Sequence, residues 1–440
     1  MGAPRVRLVV LNYNGGDLLD RCVDHLEGLR WPEDRLELVV VDNASTDGSA
    51  ERLATRPRVE VRRSHENLGF PGNNLALRDL DSIDFVGLIN NDAFVEPHYL
   101  DPLVDALLDD EQLGAVCPKI VLAPRFAEVR ITSPRWSAPG DPRPLGVRVS
   151  GVEAAGTARW RDAHLVDGFH AEEQGHDVGT FRWTNGEARL GVPAAAGESC
   201  ARILLSAPAP VTAKVSTASS TRAVEVGPTP VWVDVELGAD RYDVINNVGS
   251  RLARGGYGGD RGFLERDTGQ YEAPVDVFAW CGAGVLFRPA YFHDVGLFDE
   301  RFFMYYEDTD LSWRGRSKGW RYRYIPAAHL RHVHAATSVE GSPMFNHFVQ
   351  RNRLVMLTKN APAPYVGRAL LGYGKELAAF GWRDIVRRLL RGDRPAPGLL
   401  LSRLRSLGAY ARLLPSTLVE RRRIRAHQVV DDRSLLGWFD

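Results

Sequence analysis

The sequence predicts an α/β fold with a largely parallel sheet, interrupted by an inserted all-β sandwich and followed by a helical tail. Three observations carry this expectation. Over residues 1–124 apolar strands alternate with helical patterns. Over residues 125–250 the pattern changes to short alternating stretches separated by Gly, Pro and Ser, and the α/β texture resumes at Pro274. Beyond Asn360 the chain turns helical and basic. Apolar strands separated by helices are the pattern of a sheet covered on both faces. A length of 440 residues exceeds what one core usually supports.

The elements follow in order. Arg5 to Leu11 is a continuous apolar run and reads as the first strand. Asp17 to Leu29 places Leu18, Leu19, Cys22, Val23, Leu26 and Leu29 on one helical face. Leu36 to Val41 is a second strand ending at Asp42, and Asp47 to Ala54 starts a second helix. Val59 to Arg62, Asn73 to Leu80 and Phe85 to Ile89 read as strand, helix and strand. In the middle region, Val129–Thr132, Val147–Val152, Ala188–Val192, Ala201–Ser206, Val211–Val215, Ala223–Val226 and Val231–Leu237 have the spacing of a β-sandwich. Residues 251–272 are Gly-rich and charged, and read as a loop returning to the first domain. The expected divisions are therefore 1–124, 125–272, 273–360 and 361–440.

In the last division Leu370, Leu371, Leu377, Phe380, Ile385, Leu389 and Leu390 form amphipathic stripes. About fifteen Lys and Arg stand against about seven Asp and Glu. This is the composition of a helix lying on an anionic membrane, or equally of a helical pair packed on a neighbouring domain.

The bulk properties exclude several classes. A formal net charge of -1 does not suit a nucleic-acid binder. Four separated cysteines, without a Cys-x-x-Cys pair, argue against a structural zinc site or a disulfide framework. No apolar run is long enough to span a bilayer, and the first residues lack a signal-peptide layout. A cytoplasmic protein, able to touch the membrane from that side, is the expectation.

The chemistry-bearing residues lie at strand ends. Asp42 closes the second strand, at the edge where open α/β sheets bind ligands, and Ser45, Thr46 and Asp47 can cap the helix that follows. Asn67-Leu68-Gly69-Phe70-Pro71-Gly72-Asn73-Asn74 makes a tight turn before a helix and suits a diphosphate or a sugar hydroxyl. Asp92 follows Asn90-Asn91 past an apolar strand and could hold a hard divalent ion shared with substrate phosphates. Each string taken alone also fits an ordinary turn or cap.

Glu307-Asp308-Thr309-Asp310 is harder to explain as structure, because its three acids would repel unless solvated or used. Asp308 is the candidate general base, and Glu307 or Asp310 would orient an acceptor or cap the following helix. His332 and His334 alternate on an extended segment, so at most one faces a site. Arg351 and Arg353 follow on a helix, as surface charge or as a guanidinium clamp on a diphosphate.

Taken together, these strings resemble the family-2 glycosyltransferases of the GT-A fold, especially their rhamnosyltransferase-like and galactofuranosyltransferase-like branch. The matching pieces include Val10-Leu11-Asn12-Tyr13-Asn14-Gly15, Val41-Asp42-Asn43-Ala44-Ser45-Thr46-Asp47-Gly48, Asn67-Leu68-Gly69-Phe70, Leu88-Ile89-Asn90-Asn91-Asp92, Gly296-Leu297-Phe298-Asp299-Glu300, Glu307-Asp308-Thr309-Asp310 and His332. They cover residues 5–122 and 274–360.

The resemblance implies a GT-A type mixed, Rossmann-like sheet and inverting transfer from a nucleotide-diphosphate sugar to a glycan or lipid-linked glycan. The donor would lie against Leu11, Asn12 and Asn14 at the first strand end, and against Asp42, Asn43 and Ser45 at the second. Asn67, Gly69, Phe70 and Asn73 would follow in the turn, and Asn90 and Asn91 before Asp92. Asp92 and His332, with His334 as the fallback, would bind Mg²⁺ or Mn²⁺. Asp308, beside Glu307, would deprotonate the acceptor. Trp280, Gly282, Gly284 and Asp310 would line the acceptor side, and Arg351 would meet the diphosphate.

One departure stands out. The family's Asp-x-Asp is here Asn90-Asn91-Asp92, which weakens the metal site by one carboxylate. That loss keeps a second reading open: a non-catalytic carbohydrate-binding protein on a transferase scaffold. A nucleotidyltransferase or NAD enzyme is disfavoured, because no Gly-x-Gly-x-x-Gly follows the first strand. A homo-oligomer and a peripheral membrane contact through residues 361–440 are further expectations about partners.

Overall fold

The computed structural model describes residues 2–175, 179–195, 197–333 and 341–439. The chain divides into two compact units: residues 1–123, 246–263 and 269–440 form one, and residues 124–245 with 264–268 form the other.

The first unit is built on a mixed sheet. Strands β1 (Val6–Asn12), β2 (Leu36–Asp42), β3 (Val59–Arg63) and β4 (Phe85–Asn90) are mutually parallel, in the order β4-β1-β2-β3. Next to β4 comes the antiparallel strand Gly284–Phe287, then β6 (Leu113–Leu122), Arg321–His332 and Val275–Asp276. The short β5 (Ala93–Val95) pairs off this path with Arg321–His332.

The parallel part follows from composition. The strands are Val/Leu/Ile runs buried almost throughout. The Gly16–Glu27 helix closes over them with Leu19, Cys22, Val23 and Leu26. Each fully buried Leu or Val of this kind contributes about 1.5–3 kcal/mol.

Register decides what the strands deliver. Asn12 lies opposite Asp42 across β1 and β2, and Leu11 opposite Asn90 across β1 and β4. The carboxyl ends of β1, β2 and β4 therefore coincide. The antiparallel Gly284–Phe287 strand begins where β4 ends, with Gly284 opposite Ile89. The residues before Gly284 thus arrive at that same edge.

The predicted helix Asn73–Leu80 is shorter than expected. A 3₁₀ turn over Phe70–Asn73 leads into one helical turn, Asn74–Leu77. Its asparagines are spent on tertiary hydrogen bonds instead. Asn74 both donates to the Phe298 carbonyl (3.0 Å) and accepts from the Phe298 amide (3.1 Å).

The second unit carries a nine-stranded antiparallel sheet. Its hydrogen bonding is continuous from Thr221–Val226 at one end to Val231–Glu236 at the other. Alternate residues of these strands, among them Val129, Val149, Leu190, Ile203, Val215 and Val233, share one core. The sandwich is thus one sheet folded over its own apolar face. The long strands His164–Gly175 and Gly179–Pro193 were not legible as such, because a register shift interrupts the alternation at Leu165, Asp167 and Phe169.

The expected module boundary at residue 272 is corrected. Residues 246–263 and 269–272 belong to the first unit, where Ser250–Ala253 and Tyr257–Asp260 form a hairpin instead of a loop, and only residues 264–268 group with the other. Asn247 ties the hairpin by donating to Asp260 Oδ1 (2.6 Å).

The C-terminal helices belong to the first unit's core. Tyr373, Tyr410 and Leu435 pack with Leu354, Val355 and Leu357 of the Pro343–Asn360 helix. Arg421 donates to the carbonyls of Thr358 and Ala361. No helix among the described residues is long and apolar enough to cross a membrane.

Candidate active site

The site is built at the edge where β1, β2 and β4 end. Asn12 organises it. Its amide nitrogen donates to Ser49 Oγ (2.9 Å), Ser45 Oγ (3.0 Å) and Asp42 Oδ1 (3.3 Å), and its Oδ1 accepts from Asn91 (3.3 Å). Asp42 is buried, and both its hydrogen bonds, from Asn12 and the Ser45 amide, fall on Oδ1. Oδ2 is left to face a ligand. Asn14 takes a left-handed conformation (φ 52°) and accepts from the Thr46 amide. Leu11 sits beneath the turn: a Cβ on Gly72 would come within 2.9 Å of its Cδ1.

The glycine–asparagine turn is a clamp as much as a surface. Asn43 donates to Asn67 Oδ1 (2.9 Å) and the Gly69 carbonyl (3.0 Å) and accepts from the Leu68 amide. Gly69 has φ 66°, and a Cβ there would lie 2.0 Å from the Phe303 carbonyl oxygen. Only glycine fits this approach. The Phe70 amide then donates to that same oxygen (2.7 Å), and Asn73 donates to the Phe70 carbonyl.

Asp92 and His332 meet. Ala93 lies opposite His332 in the pairing of β5 with Arg321–His332, and the Val333 amide donates to the Asp92 carbonyl. This register sets His332 Nε2 at 3.1 Å from Asp92 Oδ1. Asn90 reaches the same nitrogen at 3.3 Å. Nδ1 lies 2.8 Å from Asn246 Oδ1, which can accept from it, so the ring is held with Nε2 toward Asp92 and Asn90. His334 lies outside the described residues.

A buried carboxylate beside an imidazole whose second nitrogen is held by Asn246 fits a divalent ion shared with substrate phosphates, which takes few protein ligands. Among the described residues no group of three or more His, Cys, Asp or Glu forms a complete protein cage.

Asp308 opens the Glu307–Ser317 helix. Its carboxylate accepts from the Thr309 amide (2.6 Å) and the Thr309 hydroxyl (3.1 Å), and it lies near the Gly282 backbone. The neighbouring Ala283 carbonyl accepts from the Asn90 amide (3.2 Å). Asp308 thus neighbours the segment that meets the end of β4. Burial, and secondarily the Asp260 carboxylate, push its acidity constant up to about 6, although hydrogen bonds from Thr309 pull the other way. Glu307 is buried, and its Oε2 has no hydrogen-bond partner. Burial and the adjacent Asp308 push its carboxyl well above the usual range.

Three expected site residues are placed elsewhere. Asp310 is fully buried; Lys359 (2.7 Å), Arg314 (3.0 Å) and Asn360 (2.8 Å) occupy its oxygens, so it anchors the helix and cannot meet an acceptor. Arg351 donates to the carbonyls of Arg301 (2.8 Å) and Phe302 (2.9 Å), which spends its guanidinium on a loop and not on a diphosphate. The Trp280 ring is buried against Phe287 and Phe298 and supports the turn from beneath. Gly282 and Gly284 do lie at the edge. A Cβ on either would meet a side chain, Phe70 at 2.6 Å or Leu330 at 2.7 Å.

Comparison with known proteins bears on this edge. Residues 8–142 match the family model for glycosyl transferase family 2. The family-2 glycosyltransferase signal lies in residues 8–142. The match begins in β1, takes in β2, β4 and Asp92, and ends inside the β module. Over 72 residues the chain is 45% identical to the N-acetylglucosaminyl-diphospho-decaprenol L-rhamnosyltransferase of two Mycobacterium tuberculosis strains. That stretch is 16% of this chain and 22% of those relatives.

Solved structures overlap loosely. GalNAc-T7 with UDP, GalNAc and Mn²⁺ gives a TM-score of 0.46 at 12% identity, over 82% of this chain and 49% of that one. The mannosyltransferase PcManGT from Pyrobaculum calidifontis, with GDP-Man and Mn²⁺, gives 0.39 at 15%, over 99% and 79%. S. aureus TarS 1-349 with UDP gives 0.38 at 13%, over 98% and 90%.

The site depends on residues that sequence reasoning missed. Asn246 orients His332, and Asp260 raises Asp308. Asn352 donates to the carbonyls of Phe302, Met304 and Tyr305. It thereby holds a loop in which Phe303, Tyr305 and Tyr306 all have positive φ. Two signals were available: Asn246-Asn247 ends an apolar run, as Asn90-Asn91 does, and Asn352 separates two arginines on a helix.

Proposed function

We propose that this chain is an inverting glycosyltransferase that moves a sugar from a nucleotide-diphosphate donor to a hydroxyl of a glycan or lipid-linked glycan, in assembly of a cell-wall or surface polysaccharide. The observation that carries the reading is the place of Asp308 near Gly282, next to the Ala283 carbonyl that accepts from Asn90, whose side chain in turn reaches His332 beside Asp92.

Asp42 would take the nucleoside through its open oxygen, with the Leu11–Asn14 strand end beside it. Asn67, Gly69, Phe70 and Asn73 would border the donor. Asp92 and His332 would hold a Mg²⁺ or Mn²⁺ ion, which when bound stabilises charge on the departing diphosphate. Asp308 accepts the proton as the acceptor oxygen bonds to the anomeric carbon. The bond from that carbon to the diphosphate oxygen breaks, and its electron pair leaves with the nucleoside diphosphate. Burial and the adjacent Asp308 push the Glu307 carboxyl up, which opposes a second negative charge beside the base. Gly282 lets the Phe70 ring pack against this edge, since a Cβ there would lie 2.6 Å from it.

Partner contacts follow from the tail. Trp382, Leu389 and Leu390 are 58%, 58% and 75% exposed, beside Arg387, Arg388 and Arg391. An apolar stripe flanked by arginines suits peripheral contact with an anionic bilayer, where a lipid-linked acceptor would be met.

The test is donor turnover. The full chain is incubated with UDP-, dTDP- and GDP-sugars and Mg²⁺ or Mn²⁺, and nucleotide release is measured. One donor should be consumed, and Asp308→Asn should abolish its use. Full activity in Asp308→Asn would remove the base. Glycan binding without turnover of any donor would favour the non-catalytic carbohydrate-binding reading.

A further inference from the structure

A cavity of about 630 Å³ lies in the first unit, between the Tyr257 hairpin and the C-terminal helices. Arg254, Arg353 and Arg368 line it, and Glu376 is its one carboxylate. None of the three arginines is ion-paired among the described residues. Arg353 is 3% exposed, and its Nε has no hydrogen-bond partner. Its remaining contacts are a bond to the Gly255 carbonyl (2.7 Å) and the face of Tyr257, 4.1 Å from the ring centre. A buried guanidinium without an anion is costly, and its neighbours add positive charge instead of cancelling it. The arrangement lacks its counter-ion.

The rest of the lining is apolar. Ala369, Leu436 and Phe439 close the far side. A second cavity of about 540 Å³ shares Tyr365, Arg368 and Leu436 and continues over Pro362 and Pro364. The hairpin that carries Tyr257 also reaches the active site: the Gly258 amide donates to the Tyr306 hydroxyl (3.2 Å), immediately before Glu307.

We propose that this cavity is a second anion site, distinct from the donor edge, that takes the diphosphate head of an amphiphilic ligand and lays its apolar part along Leu436 and Phe439. Forked guanidiniums recognise phosphate oxygens in pairs, and three of them match a diphosphate better than a single carboxylate. The same head group occurs on a prenyl-type diphosphate and on a free nucleoside diphosphate, and the experiment separates them. The proposal does not depend on sugar transfer, because binding is read without turnover.

Calorimetry on the full chain would use inorganic pyrophosphate, UDP and farnesyl diphosphate. Farnesyl diphosphate should bind more tightly than pyrophosphate. Arg254→Ala with Arg368→Ala, both exposed positions, should weaken it by about tenfold or more while leaving UDP binding intact. Arg353→Lys, which keeps the charge but loses the fork, should weaken it too. Unchanged farnesyl diphosphate affinity in the double variant would overturn the proposal. So would displacement of farnesyl diphosphate by UDP, which would assign both to the donor edge.

Discussion

Nδ1 of His332 lies 2.8 Å from Oδ1 of Asn246, and this contact decides which ring nitrogen faces Asp92. Asn246 follows the β module in sequence, and His332 ends a strand far downstream. If Nε2 is a metal ligand, Asn246 is what keeps its lone pair available. Asn246→Ala should weaken Mn²⁺ binding in the presence of nucleotide by about 10–100-fold, and His332→Ala by at least as much. Titration followed by Mn²⁺ electron paramagnetic resonance checks this; equal affinity in wild type and Asn246→Ala would dissociate the asparagine from the metal.

Asp308 sets an expected pH profile. A base must be deprotonated to work, and this carboxyl is pushed up to about 6. For a consumed donor, kcat/KM should therefore rise with pH and level off above about 6. Asp260 contributes to the upward push, so Asp260→Asn should move the acid limb to lower pH. A limb that stays in place, or moves up, contradicts that assignment.

Lys359 joins two buried acids. Its ammonium lies 2.7 Å from both Asp299 and Asp310. Burial alone would raise Asp299, but Arg301 and Lys359 hold it well below the ordinary carboxylate range. A depressed carboxyl stabilises the fold above its unfolded value, and that stability is lost as pH falls. Lys359→Met should cost about 3–5 kcal/mol in urea unfolding at neutral pH, because the fully buried Asp310 loses a main partner. A change below 1 kcal/mol, on the scale of an exposed pair, would show that Arg314 and Asn360 suffice.

The exposed apolar stripe at Trp382, Leu389 and Leu390 gives a test that needs no substrate. The full chain should float with vesicles containing anionic phospholipid and not with neutral ones, with the bound fraction falling as salt rises. Replacing all three by Glu should abolish flotation without changing the melting temperature, since none is buried. Flotation that survives the triple change would place the contact elsewhere.

Much of this protein was legible in its residues. The α/β alternation from Val6 to Asn90 could be read because strands buried on both faces must be apolar, and because the Gly16–Glu27 helix repeats its apolar side at helical spacing. Asp42 and Asp92 could be placed at strand ends for the same reason. The family signal in residues 8–142 lies in these short, local strings.

What no local string contains is register and burial at long range. Arg351 and Arg353 look alike on one helix, yet one is spent on the carbonyls of a strained loop and the other faces a cavity without an anion. Glu307, Asp308 and Asp310 share four residues of sequence. Only the packing of the Pro343–Asn360 helix assigns Asp310 to Lys359, leaves Glu307 buried with an oxygen unpartnered, and turns Asp308 to the edge. Periodicity is a property of neighbours along the chain and survives in sequence. The charge state of an acid depends on which distant groups crowd it, and that was settled when the sheet, the hairpin and the tail helices came together.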